Sequence, residues 1–224
     1  MRKTNKDEFL KNSEAALGEM FDMLTNLPAL EMQGLTGKNT ALVIVDMING
    51  FAREGALKSP RVEALIDEIT RLSQVCDEQG MAKLAFADCH TEASPEFGSY
   101  PVHCLTGTSE GQMVKEIEAV GGYKLIPKNS TNGFLEEEFQ TWLGENLHID
   151  TYIVTGDCTD ICVLQFATTL KTWFNRQNKK VRIIVPANMV DTYDLGVHNG
   201  DLMHAVALYM MIGSGIEVVK EIKG

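Results

Sequence analysis

The 224-residue chain lacks any apolar run approaching the roughly 20 residues that span a bilayer, so a helical membrane span is not expected. Its first residues, Met1-Arg-Lys-Thr-Asn-Lys-Asp-Glu, contain no apolar stretch of the secretory type, and a cytoplasmic protein is expected. Positive charge is also scarce. Twenty Lys and Arg face 31 Asp and Glu, for a formal charge of −11. Such a surface has no electrostatic footprint for DNA or RNA and little attraction to anionic membranes. Partners are expected to be small molecules and further copies of the chain, in a homodimer or larger homo-oligomer. Glycine and proline are not in excess, and no repeat or low-complexity tract interrupts the chain. The five cysteines, Cys76, Cys89, Cys104, Cys158 and Cys162, are odd in number in a chain that is not small. That excludes a disulfide scaffold and leaves reduced thiols, as core filler or as chemistry.

What the chain does contain is alternation. Residues 1–36 read as a helical extension, with Phe9, Leu10, Ala16, Met20, Phe21 and Leu24 near helical spacing until Asn26-Leu-Pro breaks it. Thr40-Ala-Leu-Val-Ile-Val-Asp is a continuous, β-branched run of the kind buried on both faces of a parallel sheet. Further strands are predicted at 83–88, 123–127, 151–156, 181–186 and 215–219. Helices are predicted between them: Pro60 to Gln79, Met113 to Ala119, Leu135 to Leu147, Ile161 to Asn175 and Val197 to Ile212. Six strands interleaved with helices over residues 37–224 predict a three-layer α/β/α sandwich around a mainly parallel sheet. Ligands in such folds sit beyond the carboxyl ends of the strands. Asp46, Asp88, Lys128 and the Gly156–Cys162 turn all fall there.

Cys162 would lie in the first turn of a helix, where free N–H groups and the helix dipole favour a thiolate and can hold an oxyanion. A small residue packing the helix start is an equally good reading of that segment alone. A carboxylate at Asp46 could take the thiol proton and return it to a leaving amine. An ammonium at Lys128 would favour the charged forms of both. Taken singly, a capping Asp and a solvated Lys explain those two residues as well.

Together, Asp46 with Asn49 and Phe51, Lys128, and Thr159-Asp-Ile-Cys162-Val resemble the isochorismatase-like cysteine hydrolases, over about Thr40 to Val219. The resemblance implies a catalytic triad of Asp46, Lys128 and Cys162. It also implies a cis peptide at Asp157–Cys158 and an oxyanion hole formed by the N–H groups of Cys158 and Cys162. Many members have Ala where Cys158 stands, a change that leaves the N–H in place. A second segment, Asp88-Cys-His90, Glu96-Phe97 and Tyr100-Pro-Val-His103-Cys-Leu-Thr-Gly-Thr108, resembles the metal-binding stretch of the nicotinamidases within that family. By that resemblance Asp88, His90 and His103 hold a divalent metal. Glu96 stands where many of those proteins have a further histidine, and glutamate can also ligate. The mixed N/O donor set suits Zn²⁺ first, and also Fe²⁺ or Mn²⁺. Cys89 should face away from Asp88 and His90, since neighbours on extended chain point to opposite sides. Phe51 and Tyr100 are candidates to wall a substrate ring. His198 and His204 read as satisfied surface or interface histidines.

The implied activity is hydrolysis of nicotinamide to nicotinate and ammonia through a thioester on Cys162. Two alternatives stand beside it: a hydrolase of another small amide, such as a carbamoyl or ureido compound, and a non-catalytic binding protein of the same fold.

Overall fold

The computed structural model describes residues 5–35 and 37–224. Helix α1 (Lys6–Thr25) opens the described chain; Asn5 caps it by accepting from the Glu8 N–H at 2.8 Å. Strand β1 (Leu30–Glu31) follows, and then β2 (Thr40–Val45), whose six residues are all buried, as a both-faces-covered strand requires. The helices α2 (Asn49–Ala52), α3 (Pro60–Glu63) and α4 (Ile66–Glu78) lead to β3 (Ala82–Asp88). A long irregular stretch ends in α5 (Lys115–Val120) and β4 (Lys124–Lys128). Then come α6 (Glu137–Glu145), β5 (Thr151–Asp157), α7 (Leu164–Arg176) and β6 (Arg182–Pro186). The chain closes with β7 (Val190–Asp191), α8 (Gly200–Gly213), β8 (Glu217–Val219) and β9 (Ile222–Lys223).

The main sheet runs β4-β3-β2-β5-β6-β8, with β7 added at the carboxyl end of β5, and every pairing within it is parallel. It therefore has seven strands where the sequence predicts six. The extra one is two residues long, too short to carry a periodicity. A separate parallel pair joins β1 to β9.

Side chains of β2 alternate between the two faces. Leu42 and Ile44 enter a core with Ile66, Ile69 and Leu72 of α4 and Ile117 of α5. Ala41, Val43 and Val45 enter the other, with Phe139 of α6, Phe166 and Leu170 of α7, and Leu208 and Met211 of α8. That is the expected three-layer sandwich. The helix predicted from Pro60 to Gln79 is broken at Ala64–Leu65 into α3 and α4. The order of the strands puts β3 on one side of β2 and β5 on the other. Successive crossovers thus diverge next to β2, which leaves a crevice at the carboxyl ends of β2 and β5.

Candidate active site

Asp46 follows β2 with φ +53, a left-handed conformation uncommon outside glycine. Two bonds hold it there. Its N–H donates to the Phe86 carbonyl at 3.0 Å, and its Oδ1 accepts from the Asp88 N–H at 3.0 Å. Lys128 is the last residue of β4, in register with Asp88 at the end of β3. It lies within the strand, not just past it. Its side chain is fully buried, with Nζ 2.8 Å from Asp46 Oδ2 and in contact with Asp88 Oδ1. The ammonium also donates to the Ser130 carbonyl at 3.2 Å and stands 3.7 Å from Cys162 Sγ. A buried cation is tolerated only when paired and hydrogen-bonded, and this one has two carboxylates.

Those neighbours set the protonation states. Burial alone would lower the Lys128 value, but Asp46, Asp88 and Cys162 outweigh it and hold the ammonium well above its ordinary range. Burial raises Asp46 to about 7, with Lys128 opposing and Asp88 adding. Burial would raise Asp88 too, yet Lys128 and the two nearby imidazoles keep it far below the usual carboxylate range. The Cys162 thiol is pushed up by burial, against Lys128 and with the fields of Asp46, Asp88 and Asp157. The thiolate expected from a helix terminus is thus not the favoured resting form. A thiol beside a carboxyl poised near neutrality is an arrangement for transferring the proton during attack.

Gly156 brings β5 to the turn that carries Cys162 at φ +109, with its missing Cβ facing the Val45 carbonyl oxygen at 2.0 Å. No side chain fits there. The Asp157–Cys158 peptide is cis, where the family resemblance places it. The Cys158 carbonyl then accepts from both Ile161 and Val163 N–H groups at 3.1 Å, and the second of these bonds spans five residues. Residues Thr159–Val163 therefore form one π-helical turn ahead of α7, so Cys162 sits in that turn and not in an α-helix. Such turns recur at functional sites. Cys158 and Cys162 are both buried and both line the crevice.

Asp88 joins this cluster to a second one. While Oδ1 meets Lys128, Oδ2 lies 3.5 Å from His90 Nε2 and 3.6 Å from His103 Nε2. The ligand atoms of Asp88, His90 and His103 all fall within 4.8 Å of one another. His103 donates Nδ1–H to the Pro101 carbonyl at 2.8 Å, and His90 Nδ1 meets Asn129 Oδ1 at 3.1 Å. Both rings thereby turn Nε2 inward, the outer-shell arrangement of metal-binding histidines. His90 Nε2 and Glu96 Oε2 are buried, 3.9 Å apart and without a hydrogen-bond partner among the described residues. Buried orphans of opposite kind beside a carboxylate are what a cation would satisfy, so the donor set fits a divalent metal. Glu96 stands beside the three-residue group while its Oε1 accepts from the Thr131 N–H at 3.0 Å. Cys89 points elsewhere, its Sγ 3.3 Å from Thr106 Oγ1.

Both clusters open into one narrow cleft, lined by Phe51, Asp88, Glu96, Tyr100, His103, Cys158 and Cys162 among others. The Phe51 and Tyr100 rings lie 5.7 and 6.2 Å from that of His103. Sequence reasoning missed Ile161, Thr131, Leu57 and Tyr193, which also line it. Ile161 was within reach, being inside the Thr159–Val163 segment that carries Cys162. Tyr193 sits in a loop with no periodicity or motif to single it out.

Nicotinamidase 1 of Arabidopsis thaliana is 30% identical over 213 residues, covering 82% of this chain and 86% of its own. A nicotinamidase/pyrazinamidase structure from Bacillus subtilis superimposes with a TM-score of 0.68 at 25% identity, covering 81% of this chain and 99% of that one. A pyrazinamidase of Pyrococcus horikoshii in complex with zinc shares the fold at 21% identity and a TM-score of 0.67, over 81% of this chain and 99% of its own. The isochorismatase domain matches residues 40–208, from the first residue of β2 into α8, and the chain belongs to that family.

Proposed function

We propose that the chain is a cysteine amidohydrolase that converts nicotinamide to nicotinate and ammonia. The observation that carries this reading is Asp88, whose two oxygens tie the Asp46–Lys128–Cys162 cluster to the His90–His103 pair within one cleft. One half of the cleft then holds the amide carbon and the other holds the ring. Asp88, His90 and His103, with Glu96 beside them, would hold a divalent metal, zinc by preference for the donor set. When bound, that metal supplies a Lewis-acid contact for a ring nitrogen. Phe51 and Tyr100 flank the ring.

The chemistry falls to the chain's own groups. Asp46 takes the proton of Cys162 as Sγ bonds to the carboxamide carbon. Lys128 holds both groups in place and offsets the charge they share. The N–H groups of Cys158 and Cys162 serve the oxyanion. The C–N bond breaks as Asp46 returns its proton to the departing ammonia, leaving an acyl thioester on Cys162. Asp46 then takes a proton from water, the water oxygen bonds to the acyl carbon, and nicotinate leaves as the thiol is restored. The setting we propose is cytoplasmic NAD salvage, by a homo-oligomer whose hydrolase domain follows an N-terminal extension that includes α1.

The test is ammonia release from a panel of nicotinamide, pyrazinamide, carbamoyl and ureido compounds, with zinc supplied and Cys162→Ala as control. Release from nicotinamide above the control is the expected result. Turnover confined to a carbamoyl or ureido compound would transfer the assignment to that amide, and no release from any compound would leave a binding protein. Metal analysis of His103→Ala should show a lower metal content than the parent, and unchanged content would remove the metal site.

A further inference from the structure

The loop between β7 and α8 also contributes to the cleft. Tyr193 lines the cleft beside Cys158, Ile161 and Cys162. The ring of His198 stacks on the Tyr193 ring, centroids 4.1 Å apart and planes 11° from parallel. The same imidazole makes two polar contacts. Its Nδ1 donates to the Tyr193 carbonyl at 2.9 Å, and its Nε2 lies 2.9 Å from Asp160 Oδ2 in the nucleophile turn. Thr159, one residue earlier in that turn, has its Oγ1 3.0 Å from His204 Nδ1 on α8. The loop is closed on itself, because Leu195 and His198 exchange backbone hydrogen bonds at 3.1 and 3.0 Å. It is anchored at its base by Arg61, which donates to the Thr192 carbonyl at 3.1 Å and pairs with Asp191 at 2.8 Å. Leu195 and Val197 at its tip are exposed, so it is the Tyr193–His198 side that is turned to the protein.

We infer that Tyr193 is a substrate-contacting wall of this cleft and that His198 is its positioning residue, locking it to the turn that carries Cys162 through Asp160. A planar, ring-bearing amide is the ligand class such a wall takes, since it offers a flat face for stacking. The clamp also fixes the spacing between that face and the nucleophile, because one imidazole touches both the wall and the turn.

The inference rests on the proposed amidohydrolase activity, and the measurement keeps the two apart. Kinetics are read on whichever amide of the panel the wild-type protein turns over best. Failure with nicotinamide then counts against the proposed substrate alone, and inactivity on every amide overturns both readings. Tyr193→Ala should raise KM by about five- to tenfold while kcat stays within about twofold. Tyr193→Phe should recover most of that loss. His198→Ala should raise KM in the same direction, and adding it to Tyr193→Ala should raise KM little further, because the two act as one unit. Circular dichroism and thermal midpoints establish that each variant is folded. An unchanged KM in folded Tyr193→Ala, or fully additive effects of the two substitutions, would overturn the inference. So would a fall confined to kcat.

Discussion

Asp157 carries a cost that its surroundings recover only in part. Its carboxyl is buried, neither oxygen has a backbone, hydroxyl or amide partner among the described residues, and burial holds it well above its ordinary 3.8, opposed by the Cys158 thiol beside it and reinforced by Asp46 and Asp88. The folded state therefore binds this proton more tightly than the unfolded one. Its contribution is full below pH 4 and is lost as pH rises towards the raised folded value, at about 1.4 kcal/mol per pH unit. Asn is neutral at every pH and nearly isosteric. Asp157→Asn should therefore flatten this part of the profile, and its stability advantage over the parent should grow between pH 5 and pH 7 in urea titrations. An advantage that shrinks over that range would show the carboxylate to be charged and satisfied. Lys128 poses the opposite case, a buried charge whose partners depend on it. Lys128→Met leaves Asp46 and Asp88 facing each other without a cation. A loss of about 3–5 kcal/mol is expected in the same titrations, together with loss of ammonia release.

At the scale of elements, the site depends on β5 lying tight against β2 just before the turn that carries Cys162. Gly156 is paired with Val45 there, and a Cβ would sit 2.0 Å from the Val45 carbonyl oxygen. Relief requires β5 to move, and the positive φ adds strain of its own. Gly156→Ala should cost on the order of 3 kcal/mol by thermal unfolding, with activity falling further than folding does because Cys162 shifts away from Lys128. Much of this architecture was legible beforehand for a simple reason. Strands such as 40–45 and 151–157 are buried on both faces, so their apolar, β-branched residues run without interruption. The residues proposed for the triad and the metal could be singled out because the motifs they resemble fix their order along the chain. Elements made by tertiary contact left no such trace. β7 and the β1–β9 pair are two residues each, and the break at Ala64–Leu65 interrupts no pattern of apolar residues. Placing Cys162 in a π turn depends on the Val163 N–H reaching Cys158, and nothing local in the sequence specifies that bond. His198 looked like a surface histidine because Tyr193 and Asp160, which occupy it, lie on either side of a whole α–β–β stretch.

The molecule as a whole divides into a hydrolase core and an appended helix, and their energetics differ. The family match begins at residue 40, and the cleft, both charged clusters and the main sheet all lie beyond that point. Helix α1 packs along α8, yet none of its twenty residues is buried, and Phe9, Leu10, Leu17 and Phe21 are exposed. A helix that buries so little draws little stability from the core, since tertiary burial supplies most of a helix's stability in a protein. The segment after it is different. Leu27 packs against the core, as Leu24 in the last turn of α1 also does, but here the Pro28 carbonyl accepts from the Lys220 N–H at 2.8 Å and Leu30 pairs with Ile222 as well. The boundary of independent folding is therefore expected between Asn26 and Leu27, ten residues before residue 37, where the sequence reading starts the hydrolase domain. A chain starting at Leu27 should unfold within a few degrees of the parent and keep its KM and kcat, since no residue of α1 reaches the cleft. A chain starting at Gly37 removes the β1–β9 pair and buried Met32 and Leu35 as well, and should lose on the order of 3 kcal/mol or more. Thermal unfolding of the two truncations side by side checks the boundary. Equal midpoints would place it at residue 37, and loss of activity in the longer truncation would make α1 part of the catalytic unit.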